Sequence, residues 1–310
     1  MASVTIAEGV TSIGAYAFVN TGIKSIVVPN SVTEIGENIF SNCSSLESAH
    51  LGSGITAIPE NAFSACSQLA SVDLPEALKT IGEFAFQNCK LKAVEMPSDV
   101  IEIGTCAFQY CKYMETLKLD NSLNFIGESA FFGCESLQTV VFPDALTTIE
   151  DKAFSRCTQL SAVTFGKSIA LVGDYVFSGC NNLTSIIVPN TVNSIGNNAF
   201  QGCAKLSSLI IPASVTSIGS NAFSGCSALT SIKIPEGITN INTRTFYGCS
   251  SLTSITIPEG LISIGGSAFE GCGSLTSVNI PEGLVSIGGK AFSGCNNLNA
   301  VNINAGYRIN

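Results

Sequence analysis

From Ser254 to Ile257 polar and apolar residues alternate, the apolar ones β-branched, and Pro258 closes the run. Such alternation marks a short strand with one buried face, and a proline, which cannot donate to a ladder, ends it. The rhythm then changes: Leu261, Ile264, Ala268 and Phe269 are apolar at spacings of three, four and one. That stretch is too short for a long helix. It predicts turns, 3₁₀ segments or one helical turn returning the chain to the next strand.

The same phrase recurs along the whole chain. Its Phe stands at 18, 40, 63, 86, 108, 131, 154, 177, 200, 223, 246, 269 and 292, so ten intervals are 23 residues and two are 22. A period in the twenties means that each unit is one coil of a solenoid, stable only when stacked on its neighbours. Fourteen strand-like segments run from Val4–Ile6 to Val301–Ile303, and they predict a parallel sheet with strands about 4.8 Å apart. Both short intervals arise in a loop, where Thr21-Gly-Ile23 and Cys89-Lys-Leu91 replace Cys-x-x-Leu. The deletion lies outside the strand, so register should survive. A Gly follows the second Ile of most units, replaced by Pro59, Glu150 and Asn242 in three. Proline holds φ near −65°, so the column is read as a place of close packing rather than a left-handed turn.

At 310 residues the chain exceeds the size of a single compact core, but a solenoid grows in one dimension and is exempt. One continuous domain over 1–310 is expected. Hydrophobic residues make up 45% and charged residues 12%, so Ser, Thr, Asn and Gly must form most of the surface. The net charge of −9 disfavours nucleic acid and anionic membranes as partners. No apolar run is long enough to span a membrane.

Twelve of the thirteen cysteines sit three residues after a repeat Phe. Equivalent positions in a solenoid form a column, and a column of free Cys acts as a ladder of small hydrophobes. Short-spaced pairs of the zinc-site kind are lacking apart from Cys106 and Cys111. Reduced, buried thiols are therefore expected, which suits an anaerobic surface or a reducing cytosol. Cys106 is out of register and is expected to be the exposed, reactive one.

Met-Ala-Ser leads straight into a consensus strand, and the chain stops at Asn304–Asn310, just after another. Without polar caps at either end, a piece trimmed from a longer protein is expected, its leader lost with the trimming. Natural ends of this kind could instead stack head to tail.

The unit Cys249-Ser-Ser-Leu252-Thr-Ser-Ile255-Thr-Ile257-Pro258, continued by Ile264-Gly265-Gly-Ser-Ala268-Phe269, resembles the BspA-like, or Treponema pallidum-type, leucine-rich repeats over essentially the whole chain. The resemblance implies a curved right-handed α/β-type solenoid with few helices, a parallel sheet on its concave side and turns or short 3₁₀ segments on its convex side. It also implies a cell-surface or extracellular location and adhesion to a protein or glycan. It carries over no catalytic residue, and no cofactor or metal is expected.

Function should sit at outward positions that escape the consensus. Between the two buried residues of each strand one side chain faces outward, and that column includes His50, Asp73, Glu95, Lys118, Val141, Ile187 and Ile210. The first four are consecutive. They could form a polar stripe with His50 beside Asp73 and Glu95 beside Lys118, or His50, Asp73 and Glu95 could ligate a metal. Val141, Ile187 and Ile210 could form an apolar contact patch or simply reflect strand propensity. In the loops, Tyr110, Tyr113 and Phe132 could stack on a sugar, anchor a partner or pack between coils. With one His and no nucleophile motif, the chain reads as a binding or adhesion module rather than an enzyme, with a structural, end-to-end self-associating surface protein as the alternative.

Overall fold

The computed structural model describes residues 3–303. The chain ends Met1–Ala2 and Asn304–Asn310, on which the expectation of missing caps falls, lie outside the described residues. The chain is a parallel-strand solenoid of about 13 turns. It comprises two compact units, Met1–Leu160 with Gly166–Ser168, and Ser161–Phe165 with Ile169–Asn310.

The alternating segment of each repeat forms a strand with its middle residue inward. In the first unit Ser25–Val27, Ser48–His50 and Ser71–Asp73 pair in parallel, with Val27 opposite His50 and His50 opposite Asp73. In the second, Ser185–Ile187 and Ser208–Ile210 pair with Ile187 opposite Ile210. Both shortened coils keep register: Ser3 lies opposite Ser25, and Thr80 opposite Glu102.

The return path has the expected turns but differs from the rest of the sequence expectation. Among the described residues it contains no helix and no 3₁₀ segment. A second column of two-residue strands appears instead, such as Glu102–Ile103 between Thr80–Ile81 and Phe125–Ile126. Turns follow, and they too are bonded from coil to coil. Asn38 N donates to Glu60 O at 2.9 Å, Phe40 N to Ala62 O at 2.8 Å and Asn42 N to Ser64 O at 2.8 Å. Each of these donors points to the following coil. Left-handed residues aim them that way: Asn38 has φ of 56° and Asn42 of 59°. The second of these positions, two residues after the Phe, holds Asn or Gly in most coils, the residues that tolerate this region best. The first holds Tyr16, Phe84, Cys106 and Arg244 among others, so no residue preference announces it.

Side chains stack as the backbones do. The repeat Phe rings form a spine of parallel, offset pairs with centroids 5.0–5.4 Å apart in the first unit and 5.3–5.7 Å in the second. Beside it runs the Cys column. All thirteen cysteines are free thiols, and all but Cys295 are buried. The thiols also make polar contacts. Cys66 Sγ donates to Phe40 O at 3.1 Å and Cys203 Sγ to Phe177 O at 3.3 Å, each reaching the preceding coil. Thr21, which replaces Cys in the first repeat, turns its hydroxyl to Phe18 O of its own coil at 2.9 Å.

The glycine column is a place of close approach, as the sequence indicates. A Cβ on Gly219 would lie 2.5 Å from Asn197 N and 2.6 Å from Gly196 C, both backbone atoms of the preceding coil. Two of the three side chains that replace this Gly take up a hydrogen bond: Asn242 Nδ2 donates to Ile218 O at 2.6 Å, and Glu150 Oε2 accepts Glu128 N–H at 3.0 Å. Alanine can do neither. Gly219→Ala should therefore force the two coils apart and cost about 1–3 kcal/mol, measured as a lowered urea midpoint. An unchanged midpoint would show that coil spacing relaxes freely.

Candidate binding face

In the first strand column the outward side chains are covered by no neighbouring coil. Val141 is 62% exposed, Ile187 66% and Ile210 55%. His50, Asp73, Glu95 and Lys118 are likewise mostly exposed. Next to them runs a lane of small residues, Ser48, Ser71, Ala93 and Thr116, also exposed.

The four charged positions form two pairs. His50 Nδ1 lies 3.1 Å from Asp73 Oδ2, and Lys118 Nζ is hydrogen-bonded to Glu95 Oε1. That contact, more than any other, raises the Lys118 pKa above the ordinary lysine value. The metal reading of the stripe does not hold. Glu95 is turned to Lys118 rather than to the His50–Asp73 pair, and among the described residues no group of three His, Cys, Asp or Glu side chains is placed to hold a metal ion.

What separates the pairs is a break in the sheet. Pairing runs from Ser3–Thr5 to Ser71–Asp73 and stops; the next sheet begins at Ala93–Glu95. The second strand column stays paired across the same coils, from Ala57–Ile58 to Thr148–Ile149. First-column pairing lapses in the same way after Thr116–Lys118, Ser208–Ile210 and Ser254–Thr256; here the second column still joins the two coils. At the opening lies a hollow of about 730 Å³ whose lining includes Asp73, Glu76, Ala93, Glu95, Lys118 and Asp120. Glu76 and Asp120 were not among the residues picked from the sequence. Asp120 carried a signal all the same, since it stands where most repeats have Pro.

Ile187 and Ile210 are brought side by side by strand register in the second unit; Ile187 also borders a smaller hollow with Phe165 and Pro189. Val141 belongs to the first unit, where it flanks a third hollow with Lys118 and Phe142.

The loop aromatics are engaged by their own neighbours. Tyr110 meets Phe132 edge-to-face at 5.4 Å, Arg156 lies 5.4 Å over Phe132, and Lys90 lies 5.8 Å over Tyr113. Tyr110 also covers Gly133, where a Cβ would come within 2.8 Å of its ring. These contacts give the three residues packing partners in adjacent coils, while Tyr113 keeps 55% of its surface exposed. Cys106 departs from expectation. It is buried, with 9% of its surface exposed, at a position whose left-handed backbone it shares with the other coils, φ 55°. Burial raises its pKa, and the carboxylates of Glu128 and Glu83 raise it further.

Stacked parallel coils of this period, with a consensus interior and a variable outward strand column, define a leucine-rich-repeat protein, a class of typically non-enzymatic scaffolds. The family profile for the BspA type leucine rich repeat region matches residues 1–115, 102–230 and 216–309. The chain belongs to that family. It is similar to a leucine-rich repeat protein of Bacteroides ovatus, with 33% identity, 96% of this chain and 86% of that one covered, and a TM-score of 0.86. A leucine rich cell surface protein of Faecalibacterium prausnitzii is 28% identical over 99% of this chain and 88% of its own, with a TM-score of 0.57. The pneumococcal vaccine antigen PcpA shares the fold at 20% identity, covering 97% of this chain and 77% of its own, with a TM-score of 0.58. No curated protein matches the chain.

Proposed function

We propose that this chain is a non-enzymatic, surface-displayed binding module that holds a macromolecular ligand, protein or glycan, on the exposed face of its first strand column. The observation that carries this reading is the contrast within each coil. Inward positions are fixed by stacking, whereas the outward column varies between charged, apolar and amide side chains that no coil covers. Uncovered apolar residues such as Ile187 and Ile210, set beside a lane of small residues, suit contact with a partner. Display at the cell surface is supported by the description of the F. prausnitzii relative as a cell surface protein.

The test is binding of the purified chain to immobilised matrix proteins and a glycan array, against a variant with His50, Asp73, Glu95 and Lys118 all changed to Ala. These side chains are exposed, so the variant should fold normally, and it is expected to lose at least about tenfold in affinity. Equal binding by a folded variant would remove this part of the column from the site.

A further inference from the structure

We infer that the opening between Ser71–Asp73 and Ala93–Glu95 accepts an extended, basic polypeptide segment, with Lys or Arg side chains entering the hollow. The inference rests on the docking reading of the strand face and gives its partner a chemistry. Three features of that place converge on this partner.

The first is the interrupted ladder. Strands facing each other without pairing leave room for a side chain between coils that the second column still holds together. The hollow, about 730 Å³, is large enough for more than one long side chain. The second feature is charge. Asp73, Glu76, Glu95 and Asp120 bring four carboxylates to the lining, and Lys118 is the one ammonium, for a formal −3. Lys118 is already bonded to Glu95 and Asp73 to His50, so Glu76 and Asp120 are left to receive an incoming cation. Glu76 and Asp120 lie just past the strand ends, where a guanidinium or ammonium could reach them without displacing Lys118. The third feature is the floor beside the hollow: Ser71, Ala93 and Thr116 are small and exposed. An extended backbone can lie close to such a lane, whereas a helix would stand off it. Anionic partners, nucleic acid or an acidic lipid surface, are repelled by the same carboxylates.

The experiment uses the whole chain and a short synthetic peptide of alternating Lys and Ser, with a Glu–Ser peptide of equal length as comparison. Two variants remove the same amount of negative charge. One, Asp73→Asn/Glu76→Gln/Asp120→Asn, empties the hollow of it. The other, Glu37→Gln/Glu60→Gln/Glu83→Gln, removes it from exposed turns beyond the second strand column. Wild type should bind the Lys peptide and not the Glu peptide. The hollow variant should bind at least about tenfold more weakly, while the turn variant should bind within about twofold of wild type. Equal weakening in both variants would mean general attraction to an acidic chain, and it overturns the proposal, as does failure of wild type to bind the Lys peptide. If that failure comes while panel ligands still bind and depend on His50, Asp73, Glu95 and Lys118, the basic partner alone is wrong. If the fourfold Ala variant keeps all panel binding, the docking reading falls with it.

Discussion

Raising the pH from 7.5 to 10 is expected to unfold the protein, and the buried thiols are the reason. Burial pushes the thiols of Cys66, Cys111, Cys203 and Cys272 up to about 12. The same cause raises Cys89, Cys134, Cys226 and Cys249. In the unfolded chain a thiol loses its proton near 8.5. The folded state therefore holds these protons more tightly, so its advantage is complete below that value and is lost as pH rises toward 12. At pH 10 the loss is roughly 2 kcal/mol per thiol, or about 8 kcal/mol for the four with values near 12. A domain has about 5–15 kcal/mol of stability in all. Urea midpoints at pH 7.5, 9 and 10 under reducing conditions should fall steeply, and far-UV circular dichroism should recover on return to neutral pH. Cys203→Ala should flatten the dependence by one thiol's share. Equal midpoints at pH 7.5 and 10 would show that the column is open to water.

Replacing Phe200 by Ala should cost about 3–5 kcal/mol at neutral pH. The ring is fully buried and stacks on Phe177 at 5.6 Å and on Phe223 at 5.7 Å. Its loss leaves a cavity and also breaks the spine at an interior coil, so two neighbours each lose a stacking partner. The surrounding coils are held by strand and turn ladders on the other sides and cannot collapse inward. A urea series would show a lower midpoint, and a smaller m-value as well if the coils on either side unfold separately. A midpoint equal to wild type would contradict the role of the Phe column as the core.

Much of this architecture could be read from the sequence because stacking repeats the same demand in every coil. Phe, Cys and the Gly before the turn recur since each meets its own copy, and a column is visible as a period. Two-residue strands such as Ser217–Ile218 are too short to show alternation, so the second ladder reads in the sequence as turns or helical segments. The left-handed position at Tyr16, Asn38 and Phe84 is hidden for a different reason. Hydrogen bonds to the next coil impose its backbone, whatever the side chain. The charge pairs of His50 with Asp73 and Lys118 with Glu95 followed from strand spacing alone. The opening between them did not. A one-residue-shorter loop precedes Ala93–Glu95, yet the same shortening before Ser25–Val27 leaves that strand paired with Ser3–Thr5. No residue type records where a ladder lets go.

The uniform direction of the turn hydrogen bonds has a consequence for how such a chain changes length. In the turns one coil offers donors to its successor and acceptors to its predecessor, as Asn38, Phe40 and Asn42 do toward the coil of Asn61, Phe63 and Ala65, which does the same in turn. Any coil therefore fits after any other. An in-frame duplication or loss of one 23-residue unit creates no new kind of junction, because both seams join surfaces that already meet elsewhere in the chain. Coil number is then free to drift by recombination between near-identical segments, such as those around Phe223 and Phe269. What such an event alters is the spacing between features carried on the outward strands, so the reach of the binding face is adjustable in steps of one strand separation, about 4.8 Å.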